Sequence, residues 1–377
     1  MLATLHSTET MMRMTRLRRA CTYLFWMIII TCILFFVVEG VASTAITFYG
    51  VRRFLLVQDH KFMQYDPEIG WTGKPDAQVE NAFGPGKTVT RNNRGFRGKQ
   101  HTEEHIPEGK LRIICSGDSY TFGMGVDDSE TWCHLLGEID QRIESVNLGE
   151  EGYGTDQSFL RYRKEAANID HDVHIFTILT PDIVRMREST FLQLPRPQVS
   201  QVEGGNLVVA NVPVPKPAFK HRTLIALTSI QSKLRITELL GSLSRKKNKV
   251  HTILDLEGTK DLLHVIMTET KTLTDKGGSV LVVVYLPYDH EENSHPYSPY
   301  AYASKIAEEE HLFFIDLVSF YKGLAHQTKQ SFFLTNAETT HPTAPGHYSV
   351  MGNKIIAQQL YNQLSSTEEI ADRLNQL

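Results

Sequence analysis

Residues 20–38, ACTYLFWMIIITCILFFVV, form a run of 19 positions without a charge. As a helix rising about 1.5 Å per residue, the run nearly crosses a hydrocarbon layer about 30 Å thick. It shows no amphipathic period, so it does not read as the half-buried helix of a soluble core. Glu39 interrupts it, but residues 40–51 are again uncharged. Arg13, Arg16, Arg18 and Arg19 precede it, and the positive-inside rule places that end in the cytoplasm. The expected order is a cytoplasmic N-terminus over 1–19, then a transmembrane signal anchor over 20–46. The rest would be extracytoplasmic, which in a bacterium means periplasmic. The rival is a cleaved signal peptide, since Val41-Ala42-Ser43 resembles a cleavage site, but its apolar region would be unusually long.

A net charge of −4 gives no global field for nucleic acid. The one basic run, Arg245-Lys246-Lys247-Asn248-Lys249, is short and reads as a solvated helix end or loop. The four cysteines form no CxxC pair, which argues against a zinc or thioredoxin-type site. Cys115 and Cys133 could meet in space, but buried free thiols are the simpler reading. His101 and His105 stand four apart without the order of a zinc protease, and Gly86-Lys87-Thr88 lacks both the first glycine and the helix of a phosphate-binding loop. Neither metal nor cofactor is expected.

Residues 50–107 are rich in Gly, Pro and Asn and read as a small region of turns and short strands. From residue 108 short apolar runs alternate with helical patterns: Leu111–Cys115, Ser145–Leu148, Val173–Leu179, Ser279–Leu286 and Leu312–Ile315 as strands. Helices are expected near 131–139, 157–167, 222–244, 257–275, 299–310 and 345–363. An insertion at about 188–275 opens on a proline-rich stretch with a hairpin turn at Glu203-Gly204-Gly205-Asn206. Residues 366–377 read as a tail. This alternation predicts an α/β domain over 108–365 with a doubly wound (flavodoxin-like) parallel sheet of about five strands. Ligands of such sheets bind at the carboxyl ends of the strands.

Two of those ends, and one loop entering the last helix, carry chemistry. Gly117-Asp118-Ser119-Tyr120 follows the first strand, where a serine can expose its hydroxyl and the next N–H groups can meet an oxyanion. Asn147-Leu148-Gly149-Glu150-Glu151-Gly152-Tyr153-Gly154 follows the second. Near the C-terminus, Glu338 stands three residues before His341, and Gly346-His347 follows. A carboxylate so placed can hold an imidazole in one tautomer, ready to deprotonate a serine.

Taken in order, these motifs resemble the SGNH (GDSL-type) hydrolase superfamily over about residues 108–365. The upstream Asp66-Pro67-Glu68-Ile69-Gly70-Trp71 and Asn92 to Gly98 stretches, with GDSYTFGMGVDDSETW, VNLGEEGYGTDQ and HPTAPGHYSV, are similar to its membrane-anchored branch of envelope polysaccharide-associated esterases and O-acetylation proteins. The resemblance implies Ser119 as nucleophile, His341 as base, Glu338 as its orienting carboxylate, and the Ser119 and Gly152 N–H groups as oxyanion donors. Asp118, Tyr120, Tyr153, Thr180 and Asp182 are candidate substrate contacts. Two positions depart from the pattern: the carboxylate before the histidine is usually aspartate and here is Glu338, and the superfamily's oxyanion asparagine is replaced by Pro181, which offers no donor.

The expected activity is hydrolysis of an acyl ester, with an O-acylated envelope polysaccharide as the implied substrate. Acyl transfer by the same residues and a non-catalytic scaffold in polysaccharide assembly are the alternatives. Arg185, Arg187 and Asp289-His290-Glu291-Glu292 stand on the same edge, and Trp71, Trp132 and Tyr153 are a possible sugar platform against ordinary packing. Protein partners are not specified by the sequence.

Overall fold

The structure, a computed structural model, describes residues 2–58, 62–191, 194–201, 207–216, 256–289, 298–339, 341 and 343–377. It divides into two units, the first represented by helix α1, Leu2–Gln58. Within α1, Arg16–Ala45 is 30 residues long with a mean hydropathy of 2.5, long and apolar enough to cross a membrane. The helix runs on through Gln58, where turns and strands were expected. Residues 51–58, VRRFLLVQ, contain neither glycine nor proline to stop it.

The second unit opens with four short strands: β1 (Met63–Asp66) paired with β2 (Gly70–Gly73), and β3 (Gln78–Val79) paired with β4 (Val89–Thr90). Asp66 Oδ1 accepts the Glu68 and Ile69 N–H groups and so closes the first turn. A five-stranded parallel sheet follows, built from β5 (Leu111–Ser116), β6 (Ile143–Asn147), β7 (Val173–Ile178), β12 (Val280–Tyr285) and β13 (Phe313–Asp316). The spatial order is β13-β12-β7-β5-β6, so the first strand in sequence lies between the second and third.

The remaining elements, in chain order, begin with α2 (Ser119–Phe122), α3 (Trp132–Ile139), α4 (Thr155–Arg161) and α5 (Thr180–Arg185). Next come β8 (Thr190–Phe191) with β9 (Leu194–Pro195), and β10 (Gln198–Gln201) with β11 (Leu207–Ala210). Then follow α6 (Leu256–Lys276), α7 (Pro299–Glu309), α8 (Leu317–Gly323), α9 (His326–Gln330), α10 (Val350–Ser365) and α11 (Glu368–Asn375).

Alternation along the strands explains the two covered faces. Ile113, Cys115, Val282 and Val284 meet Trp132 and Leu136 of α3 and Ile356 and Leu360 of α10. Phe176, Ile178, Val283 and Tyr285 meet α4, α6 and α7 on the other side. Each such fully buried aliphatic side chain contributes about 1.5–3 kcal/mol.

Three details differ from expectation. The last long helix starts at Val350 rather than near 345, because Ser349 caps it by accepting the Gly352 N–H. The tail forms α11, with Ile370 and Leu374 buried. Cys115 and Cys133 are not free thiols but a disulfide joining β5 to α3, whose Cα atoms lie 6.4 Å apart. The hairpin turn expected at 203–206 and the helix expected at 222–244 lie outside the described residues; β10 and β11 pair antiparallel.

Candidate active site

Ser119 opens α2 directly beyond β5. Asp118 caps this short helix in an extended conformation, its Oδ1 accepting the Tyr120 N–H at 2.9 Å. The turn is held from the upstream strands. Asn92 Oδ1 accepts the Arg94 and Phe96 N–H groups, forming a tight turn that presents Arg97. Arg97 pairs with Asp128 at 2.6 Å and stacks over Phe122 at 4.4 Å. Arg91 covers the same ring at 4.6 Å and meets Glu150 at 2.5 Å. Arg161 reaches the other oxygen of Glu150 at 2.9 Å.

The loop after β6 lies against this turn. Asn147 Nδ2 donates to the Thr121 carbonyl, and Glu150 N–H donates to Gly117 O. Gly149 has to be glycine, since a Cβ there would enter the backbone at Thr121 and Phe122.

Ser119 Oγ sits 2.8 Å from Nε2 of His347 and 3.2 Å from Oδ2 of Asp118. His347 Nδ1 is 3.1 Å from the Ala344 carbonyl, which can only accept. That contact puts the proton on Nδ1 and leaves Nε2 as the acceptor for the serine O–H. The imidazole lies on the Tyr120 ring, 4.6 Å between centroids, and Tyr120 donates its phenol to Gly346 O. Burial lowers the His347 pKa below the ordinary 6.5, opposed by the Asp118 charge and the Ala344 carbonyl. The imidazole is therefore neutral at pH 7 and able to accept a proton.

The expected base was His341, but the imidazole that contacts Ser119 Oγ in the structure is that of His347. His341 packs edge-on against Phe83 at 5.3 Å, and its Nδ1 meets Thr343 Oγ1 at 3.1 Å. Glu338 does not orient it. Its exposed carboxylate accepts the Thr335 N–H and hydroxyl, both at 2.8 Å, and closes a local turn. His347 is the second histidine of the same loop and follows Gly346, whose φ is +89°; the sequence offers both histidines and ranks neither.

The other candidates divide between the site and the core. Tyr120 flanks the pair, and Asp118 and Asp182 are buried near it. Tyr153 is fully buried, donates to the Trp71 carbonyl and packs on Trp71, whose Nε1 reaches Glu151 O at 2.9 Å. Trp132 is also buried, so these rings are core rather than a sugar platform. Thr180 Oγ1 lies 2.6 Å from the Tyr285 hydroxyl. Pro181 occupies the first turn of α5, where a missing N–H is tolerated. Arg185 pairs with Asp182 and also donates to Tyr153 O, rather than standing in solvent.

Gly152 is buried against the Phe191 ring. The N–H groups of Ser119 and Gly152 donate to no acceptor among the described residues. Beyond Tyr120 and Gly346 opens a cleft of about 570 Å³, also lined by Tyr288, Asp289, Lys329 and Asn336. Asp289 thus faces it, while His290, Glu291 and Glu292 lie outside the described residues. No cluster able to hold a metal occurs among the described residues.

No family model matches the chain, and no curated protein matches it. Among solved structures it is similar to a member of the lipolytic protein G-D-S-L family from Veillonella parvula. That match has 13% identity over 68% of this chain and 100% of the other, at a TM-score of 0.38. An acetylxylan esterase from Geobacillus stearothermophilus matches at 14% identity over 69% and 95%, at a TM-score of 0.37. At such scores the likeness decides nothing about chemistry, which rests on the geometry above.

Proposed function

We propose that this chain is a membrane-anchored serine ester hydrolase with Ser119 as nucleophile and His347 as general base. The observation that carries the reading is the 2.8 Å contact between Ser119 Oγ and His347 Nε2, with Nδ1 held on the Ala344 carbonyl. Ser119 attacks the ester carbonyl carbon while its proton passes to Nε2. The C–O bond to the alcohol breaks and the departing oxygen takes that proton. Water then repeats the sequence on the acyl-enzyme, releasing the carboxylic acid and restoring the serine. The N–H groups of Ser119 and Gly152 are the proposed oxyanion donors, without the third donor that Pro181 removes. One missing donor lowers the rate by roughly 100- to 1000-fold, so a slow enzyme is expected. The finer placement is within the SGNH superfamily and its flavodoxin-like sheet, supported by the motif order and by β5 lying between β6 and β7.

An extracytoplasmic site is supported by the arginines before the apolar span and by the Cys115–Cys133 disulfide, since such bonds persist in oxidising compartments. With an open cleft bordered by Tyr120 and Gly346, the neighbours of the pair, this fits an ester on an envelope polysaccharide. Hydrolysis and transfer to a sugar hydroxyl would use the same residues and differ only in the acceptor. Pro181 favours a second reading, a scaffold that keeps the fold without turnover.

The test uses the full chain in detergent with a short-chain aryl acetate and a fluorophosphonate probe. Turnover and labelling in wild type should both vanish in Ser119→Ala, with a loss of roughly 10⁴-fold or more. A folded wild type that neither turns over nor labels would leave the scaffold reading.

A further inference from the structure

The mechanism above leaves the phenol next to the nucleophile without a task. Ser119 and Tyr120 are consecutive residues of α2, and the Tyr120 N–H is fixed on Asp118 Oδ1 at 2.9 Å. From that root the Tyr120 side chain reaches the histidine loop. Its ring meets the His347 imidazole with 4.6 Å between centroids and the planes 33° apart, and its hydroxyl donates to Gly346 O at 2.8 Å. Tyr348 closes on the same ring edge-to-face at 4.9 Å. Tyr348 is buried and is anchored in turn by donating to Pro287 O at 2.7 Å. Centroid separations of about 4.5–7 Å are those of favourable aromatic pairs. One short helix therefore carries both the nucleophile and the seat of its base.

What the base lacks gives this contact its weight. On taking the serine proton His347 becomes an imidazolium, and a carboxylate on Nδ1 is the usual compensation. Here Nδ1 meets the neutral Ala344 carbonyl, and Glu338 is turned to Thr335. Burial opposes the positive charge, Asp118 and Glu151 favour it, and Arg185 opposes it. The face of an aromatic ring is negative and attracts a cation within about 6 Å of its centroid, most strongly where water is excluded. The imidazole lies inside that reach of the Tyr120 ring.

Resting on the Ser119–His347 reading, we infer that Tyr120 is a positioning residue for the base, its ring holding the His347 imidazole toward Ser119 and favouring the imidazolium that proton abstraction forms. Tyr120 also lines the cleft, so a substrate contact is the rival role. Phenylalanine keeps the ring and loses only the bond to Gly346 O. Leucine fills the site without an aromatic face.

The experiment compares Tyr120→Phe and Tyr120→Leu with wild type, using the full chain in detergent. It follows aryl acetate hydrolysis and titrates the His347 imidazole by NMR of protein carrying isotope-labelled histidine, the signal being assigned by its loss in His347→Gln. Tyr120→Phe should lower kcat by less than about 10-fold, the worth of one neutral hydrogen bond. Tyr120→Leu should lower kcat by roughly 30-fold or more and leave KM unchanged. Its imidazole should titrate about one pH unit lower than in wild type, whereas that of Tyr120→Phe stays with wild type. Equal losses in both variants overturn the inference. So does a rise in KM with kcat kept, which would make Tyr120 a substrate contact. An imidazole titration that stays put or rises in Tyr120→Leu overturns it as well. If Tyr120→Leu does not fold, Tyr120→Met takes its place, since methionine also fills the site without an aromatic face. A wild type without turnover sinks the esterase reading and the positioning role with it, while the titration still reports whether the ring favours the imidazolium.

Discussion

The two halves of the proposed site are built differently. The serine half is fastened from every side. Phe122 lies between Arg91 and Arg97, Glu150 is held by two arginines, Cys115 is bonded to Cys133, and Gly149 meets the α2 backbone closely. The histidine half is a loop tied, among its described residues, by single hydrogen bonds rather than by buried ion pairs. Leu334 N–H donates to His347 O at 2.7 Å, Gly346 N–H donates to Leu334 O at 2.9 Å, and Tyr120 ties down Gly346. A nucleophile turn must hold its backbone donors in place, whereas a base needs only one ring nitrogen within reach. The difference teaches where sequence motifs are trustworthy. Where many residues constrain one geometry the motif predicts it, and where one loop carries two histidines the motif leaves a choice.

The largest effect should fall on that choice. His347→Ala should lower kcat for aryl acetate hydrolysis by roughly 10⁴-fold, while His341→Ala stays within a few-fold of wild type. The reverse ranking would move the base to His341 and break the contrast drawn above.

On stability the contrast should run the other way. Arg91→Ala leaves Glu150 buried with Arg161 as its remaining cation and should cost about 3–5 kcal/mol in unfolding free energy. Thr343→Ala, in the histidine loop, should cost less than about 1 kcal/mol. Comparable losses would mean that both halves are equally braced. The same substitution on each side sharpens the point. Gly149→Ala forces a methyl into the backbone at Phe122 and should cost about 1–3 kcal/mol. Gly346→Ala meets nothing nearer than Asp289 at 4.0 Å and should cost about 1–2 kcal/mol, from its positive φ alone. Melting temperatures of the two variants measure this, and the Gly149 variant should also lose turnover.

The smallest effect is acid sensitivity. Burial lowers His347 below its ordinary 6.5, so the acid limb of kcat/KM should lie below that value. A limb above 6.5 would count against His347 as base. Under the sheet, burial lowers His174 far and His171 less. His174 faces Ser116, Thr274, His171 and Tyr162, none of which supplies a negative charge. The unfolded chain therefore takes up these protons first. Stability should be unaffected above about pH 6.5 and should fall progressively below it. His174→Gln should flatten that fall in thermal unfolding between pH 7 and pH 5.

Much of this was present in the chain as a string of letters. The apolar run of α1, the alternation that makes five buried strands, Ser119 beyond β5 and the glycine-rich loop beyond β6 all depend on near neighbours. Periodicity, propensity and turn chemistry act over a few residues and can be read in order. Other features depended on contacts between distant segments. Trp71 and Tyr153 became core rather than platform because β2 meets the loop after β6. Cys115 met Cys133 because α3 packs on β5. Glu338 turned to Thr335 and His347 to Ser119, a pair separated by more than half the chain. Such pairings are decided by packing and by the requirement that buried polar groups find partners, and no local rule states which of two histidines in one loop will be the partner.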